Sequence, residues 1–165
     1  MLSLFRTLLA GIALIASAQV AAAEPTDPWP VSPSVMQMAT PYGNLHVVTS
    51  EYVYESRLRL NDVDIEPAIK GILNITHAFS LPKARVVLVS INNGNNACPI
   101  RYRWVVLRAD TYKVSPEFGS CSDKIKVSAK GHKLTLTTPS LQKPDKIDVY
   151  IYDGKTIKHR SAKQP

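Results

Sequence analysis

Cys98 and Cys121 are the only cysteines in a chain of 165 residues. Two thiols can close a disulfide, remain as buried thiols, or help to hold a metal. A metal needs further ligands, and none of His46, His77, His132 and His159 lies in or beside the 98–121 stretch. A thioredoxin-like redox role needs Cys-x-x-Cys, which this spacing is not. We read the pair as a structural disulfide that closes a ring of 24 residues, counting both ends.

The other chemistry-bearing residues point less sharply. The four histidines share no metal spacing such as His-Glu-x-x-His. His77 falls in phase with Leu73, Ile75 and Phe79, the setting of a hydrogen-bonded core histidine. No serine sits in a Gly-x-Ser-x-Gly elbow, and Ser122-Asp123 reads as a turn. Glu51, Glu55, Asp62, Asp64 and Glu66 cluster around a turn signal. Glycoside hydrolysis needs two carboxylates at a set separation, and sequence does not supply one, so the cluster reads as a solvated hairpin tip. Asn93 and Asn95, within Asn92–Asn96, carry amides that both donate and accept, as sugar hydroxyls require. The same residues tolerate positive φ, so a plain turn competes with that reading. Arg101, Arg103 and Arg108 alternate with or flank Trp104 and Tyr112, a mixture enriched at protein interfaces. These seven residues, Asn93, Asn95, Arg101, Arg103, Trp104, Arg108 and Tyr112, are the candidate binding set. No catalytic residue, metal or cofactor is expected from the pattern.

The elements that must position them are strands. Arg85 to Ile91 is a continuous, β-branched apolar run, the pattern of a strand buried on both faces. Arg101 to Arg108 alternates, Ala109-Asp110 turns the chain, and Tyr112 to Val114 can pair back. Further on, Lys124 to Ser128 points Ile125 and Val127 inward, and His132 to Thr138 points Leu134 and Leu136 inward. Lys146 to Tyr152 reads with Ile147, Val149 and Ile151 inward. Asp153-Gly154 is a two-residue hairpin signal with positive φ at both positions. Ile65 to Ile72 admits one short helix, confined by Pro67 and Gly71. The fold class expected is all-β or β-dominated, an antiparallel sandwich or barrel with at most one short helix.

Compartment follows from the other end of the chain. Arg6 precedes an apolar run, Leu8 to Val20, and Ala21-Ala22-Ala23 supplies the small-residue site of signal peptidase. The run is too short for a transmembrane segment with polar flanks, and no later stretch approaches a span. Residues 1–23 therefore read as a signal peptide, 24–41 as a Pro-rich linker, 42–158 as the β domain and 159–165 as a fraying basic tail. Net charge is +7, which first of all serves solubility and also suits association with anionic partners. Nucleic acid is not expected of an exported domain without a clustered basic stretch before its tail.

Asn96-Ala97-Cys98-Pro99, followed by Ser115-Pro116-Glu117-Phe118-Gly119-Ser120-Cys121-Ser122-Asp123, resembles a module in exported bacterial proteins of unknown function. The resemblance spans roughly Arg85 to Tyr152 and implies export and a β-rich domain, with no activity to carry over. The expected function is a non-enzymatic binding module of the bacterial envelope, periplasmic or secreted, such as an inhibitor or immunity-type partner of another exported protein. Its expected partner is an exported protein or an anionic envelope polymer. The competing expectations are a small cell-envelope hydrolase and a structural envelope module.

Overall fold

The computed structural model describes residues 29–50 and 55–164. The signal-peptide reading and Glu51 lie outside the described residues. Twelve strands make up two antiparallel sheets, and no helix occurs among the described residues. The first sheet runs β1 (Gln37–Thr40), β2 (Gly43–Thr49), β3 (Ser56–Leu60), β5 (Lys70–Leu81), β6 (Ala84–Asn92), β7 (Arg101–Leu107) and β8 (Tyr112–Val114), with β4 (Val63–Asp64) paired to β3. The second holds β9 (Lys126–Lys130), β10 (Lys133–Pro139), β11 (Lys146–Tyr152) and β12 (Ile157–Lys163), in the order β12-β11-β10-β9. Neither sheet closes into a barrel, and the architecture is a β-sandwich.

β3 meets β5 through two residue pairs only, Ser56↔Gly71 and Arg57↔Lys70. Gly71 stands at φ +133, and a Cβ there would come within 2.8 Å of the Asn92 carbonyl oxygen, so only glycine fits this corner. One core joins Leu45, Val47 and Leu58 of β2 and β3 to Val87, Val89, Val105 and Leu107 of β6 and β7. A second joins Val86, Leu88, Tyr102, Trp104 and Val106, on the opposite face of β6 and β7, to Leu134, Leu136, Tyr150 and Tyr152 of the second sheet. β6 and β7 thus form a middle layer buried on both sides, which is why β6 needs an unbroken apolar run rather than alternation. Each fully buried aliphatic side chain there contributes about 1.5–3 kcal/mol.

Five local expectations are corrected. The segment read as a Pro-rich linker supplies β1, and Val35 exchanges backbone bonds with Ile75 at 3.0 and 2.9 Å, so the domain begins before Tyr42. The expected helix at Ile65 to Ile72 is absent: Ile65 and Ile69 both enter the first core, and Pro67 lacks the N–H a helix interior requires. The basic tail does not fray through its length, because β12 pairs with β11 from Tyr152↔Ile157 to Lys146↔Lys163. The Asp153-Gly154 hairpin has a four-residue connection, 153–156; Gly154 alone of the pair has positive φ, while the Asp153 carboxylate accepts from the Lys155 and Thr156 N–H groups. Finally, β11 faces the other way. Tyr150 and Tyr152 enter the second core and Asp148 is buried beside them, whereas Ile147, Val149 and Ile151 line the outer face.

Candidate functional site

The disulfide forms between Cys98 and Cys121, with the Cα atoms 4.6 Å apart. It ties the loop before β7 to the chain that returns after β8. That return is itself laced to β7: Tyr102 and Phe118 exchange two backbone bonds, and the Ser115 hydroxyl accepts from the Trp104 N–H at 2.9 Å. The close approach needs Gly119, whose φ is +126 and where a Cβ would stand 3.0 Å from the Tyr102 ring. The staple therefore holds Ser120 and Cys121 against the edge of the second core.

What they are held against is a polar cluster of side chains from β11 and β12. The Asp148 side chain is only 8% exposed. Ser120 Oγ donates to Asp148 Oδ2 at 2.6 Å, and Ser161 Oγ donates to Oδ1 at 2.6 Å. His159 Nε2 lies 3.0 Å from the same Oδ1. Burial alone would raise the Asp148 pKa, but the bonds from Ser120, Ser161, His159 and Ser140 outweigh it and hold the carboxyl at about 2. An ionised carboxylate only accepts, so the Ser120 proton points at Asp148. The Tyr150 hydroxyl, 2.7 Å from Ser120 Oγ, is then the donor in that contact. Burial pushes the Tyr150 phenol up, with the Asp148 charge adding to it. His159, opposite Tyr150 in the strand register, stacks on its ring with centroids 4.6 Å apart.

These groups open onto a cleft of about 280 Å³ rimmed by Arg101, Cys121, Leu141 and Gln142. Arg101, one third exposed, has Nε 3.6 Å from Glu117 Oε1, and Arg103 has Nη2 3.9 Å from Glu117 Oε2. One exposed carboxylate thus faces two guanidinium groups at long range, and the Nε of each is buried without a hydrogen-bond partner among the described residues. A larger cleft of about 340 Å³ lies beneath the arm 29–34, where Ser34 donates to Asn74 Oδ1 at 2.8 Å. Its walls carry hydroxyl, amide and apolar groups, with Asp123 and Lys124 at one side.

The structure brings together only part of the sequence-derived set. Arg101 lines the cleft, and Arg103, two residues further along β7, joins it only through the shared Glu117. Trp104 does not: it is fully buried in the second core beside Phe79 and Phe118, so it is not part of a binding surface. Arg108 is exposed at the far end of β7, about 23 Å from Arg101 at strand rise. Tyr112 packs on the first core, and its hydroxyl accepts from the Glu66 N–H at 2.9 Å. Asn93 and Asn95 are exposed, but their side-chain oxygens accept from the Asn95 and Ala97 N–H groups, so the loop largely satisfies itself.

Of the acidic cluster, Asp64 accepts from Arg59 and Arg57, which lower its pKa in that order. His77 is half-buried, burial lowers its pKa, and its Nδ1 finds no hydrogen-bond partner among the described residues. No group of three or more His, Cys, Asp or Glu able to hold a metal occurs among the described residues. Asp148, Ser120, Tyr150 and Ser161 escaped sequence reasoning. The one available signal was the period-two phase that puts Asp148 with Tyr150 and Tyr152.

The order of the cluster limits its chemistry. In a Ser-His-Asp triad the imidazole stands between hydroxyl and carboxylate and takes the serine proton. Here the carboxylate stands between Ser120 and His159. A carboxylate with a pKa of about 2 is too weak a base to deprotonate a serine at neutral pH. What the arrangement offers instead is a rigid, prepaired polar wall beside Arg101. No protein-family model, no curated protein and no solved structure matches this chain.

Proposed function

We propose that this chain is an exported protein of the bacterial envelope that acts by binding rather than by catalysis, and that the cleft beside the Cys98–Cys121 bond is its contact face. The observation that carries this reading is the position of Asp148 between Ser120 and His159, which leaves the serine without a base. A site preorganised by a disulfide, a strand register and a saturated carboxylate loses little entropy when a partner arrives. Arg101 and Arg103, loosely paired with Glu117, suit an acidic or carbonyl-rich segment of another exported protein, as an inhibitor or immunity-type partner would present. The disulfide itself suits an oxidising compartment. No described helix is long and apolar enough to cross a membrane.

The test is capture from a periplasmic extract of the source cells. The disulfide-bonded mature protein is used as bait beside Arg101→Ala and Arg103→Ala baits that melt like the parent. A stoichiometric protein retained by the parent and lost from both variants is the expected result. Capture that survives both changes removes the cleft as the contact face. Turnover of an envelope-derived ester, amide or glycoside that disappears in Ser120→Ala would replace the binding reading with a hydrolytic one.

A further inference from the structure

The charge of this protein is not spread over it. Residues 124–164 hold ten Lys and Arg against three Asp, whereas the rest of the chain holds ten basic against ten acidic residues. The whole net charge of +7 therefore belongs to the second sheet and its loops. Strand register then sorts these charges by face. Asp148 points inward, while Asp145 and Asp153 lie in the connections at the ends of β11. The outward face carries Lys126 and Lys130 on β9, Lys133 on β10, and Lys158 and Arg160 on β12, all exposed and with no carboxylate among them. Between them run Thr135, Thr137 and the ridge Ile147, Val149 and Ile151. None of the five cations forms an ion pair among the described residues. Lys126 places its ammonium 5.0 Å over the Trp29 ring.

The arrangement works against the sheet's own stability. On this face Lys130 and Lys133 are direct cross-strand partners. Directly opposed like charges destabilise a strand pair. At sheet spacings the five cations occupy an area of about 14 by 13 Å, so nearest neighbours lie within one Debye length of about 10 Å at 0.1 M salt and the outermost beyond it. The composition also selects the partner. Protein interfaces are enriched in arginine and aromatics and depleted in lysine, whereas the strands present on this face four lysines, one arginine and no aromatic of their own, with Trp29 of the arm standing against Lys126. Lysine is a compact, hydrated point charge, suited to a diffuse array of anions rather than to bidentate recognition of one. Val149 is already covered by its neighbours, so the face offers charge more than an apolar wedge.

We propose that the outward face of β9–β12 docks on the surface of a bilayer containing anionic phospholipid, with the lysines over the lipid phosphates. The disulfide cleft, built from inward-facing residues of the same sheet, is left open to its own partner. This docking does not depend on the cleft reading: vesicles test the first and protein capture tests the second.

The experiment is vesicle flotation of the mature, disulfide-bonded protein. One set of vesicles is phosphatidylcholine alone, and the other contains about 30% phosphatidylglycerol. Binding to the anionic vesicles only, lost between about 0.1 M and about 0.5 M salt, is expected. The triple variant Lys130→Gln, Lys133→Gln, Lys158→Gln should lower partitioning about a hundredfold, at about fivefold per basic residue near an anionic leaflet. A charge-matched variant elsewhere, Lys70→Gln, Lys83→Gln, Lys113→Gln, should change it less than about fivefold. Lys→Arg at the three face positions should keep binding, which separates charge from folding damage. No binding to anionic vesicles at low salt overturns the proposal. So does an equal loss in the two triple variants, or retention of an acidic protein by this face in place of vesicles.

Discussion

Replacing Asp148 by asparagine tests the polar cluster directly. In the folded protein the carboxyl titrates at about 2, against an ordinary value of 3.8. A depressed folded pKa stabilises the fold above the unfolded value, and that contribution is lost as pH falls from about 4 through about 2. At 1.36 kcal/mol per pH unit, the difference corresponds to about 2 kcal/mol at neutral pH. The side chain is 8% exposed but borders a cleft, and solvent there screens part of this, so about 2 kcal/mol is an upper figure. Asparagine keeps the shape but replaces one accepting oxygen by a donor, so Ser120 or Ser161 loses its acceptor and must reorient. The expected loss for Asp148→Asn is therefore about 2–4 kcal/mol at pH 7. The assay is denaturant unfolding followed by tryptophan fluorescence, since Trp104 is fully buried, repeated at pH 7, 4, 3 and 2 for parent and variant. The gap between the two should close as pH falls, because protonation removes from the parent what the substitution removed from the variant. The other lowered carboxyls, Asp64 and Asp153, are common to both proteins and cancel. A variant as stable as the parent at pH 7, or a gap that is the same at pH 7 and pH 2, would refute the assignment of a stabilising charge to this carboxyl.

Three further outcomes are expected. Changing both Cys98 and Cys121 to serine should cost about 3 kcal/mol for a ring of this length, read as a lower denaturation midpoint that matches the parent in reductant. Gly119→Ala should lose about 1–3 kcal/mol, because alanine resists the positive φ and its Cβ meets the Tyr102 ring; a melting temperature equal to the parent's would contradict that geometry. Trp104→Ala should cost about 3–5 kcal/mol through the cavity it leaves, whereas Arg103→Ala should stay within about 0.5 kcal/mol, and near-equal effects in thermal melts would place Trp104 at the surface instead.

The sequence by itself determined what depends on neighbours along the chain. The β-branched run of β6 reads as a doubly buried strand because Val86, Val87, Leu88 and Val89 are apolar in both phases, and no alternation has to be oriented. The Leu134 and Leu136 phase of β10 was legible because its other phase is Lys and Thr, which have no place in a core. Two cysteines with no competing ligands left the disulfide as the plainest outcome, and it forms. Export, by contrast, rests on residues 1–23, outside the described structure.

Tertiary structure alone decided the rest, and β11 shows why. Both of its faces are largely apolar: Ile147, Val149 and Ile151 on one, Tyr150 and Tyr152 with Asp148 on the other. Alternation defines two faces but not which one is buried. That choice is made by β10, where Leu136 stands opposite Tyr150 and draws the tyrosine face into the second core. Once Tyr150 turns inward, Asp148 must follow at period two. Its charge is tolerable there because Ser120, 28 residues earlier, and Ser161, 13 residues later, arrive to donate to it. The same register sends Lys126, Lys130, Lys133, Lys158 and Arg160 outward and places five of the ten basic residues of 124–164 on one face. Trp104 was misplaced for a related reason: beside two arginines it reads as an interface residue, yet in a strand its neighbours point the other way. Strand pairing across long sequence separations made both choices, and no local pattern records it.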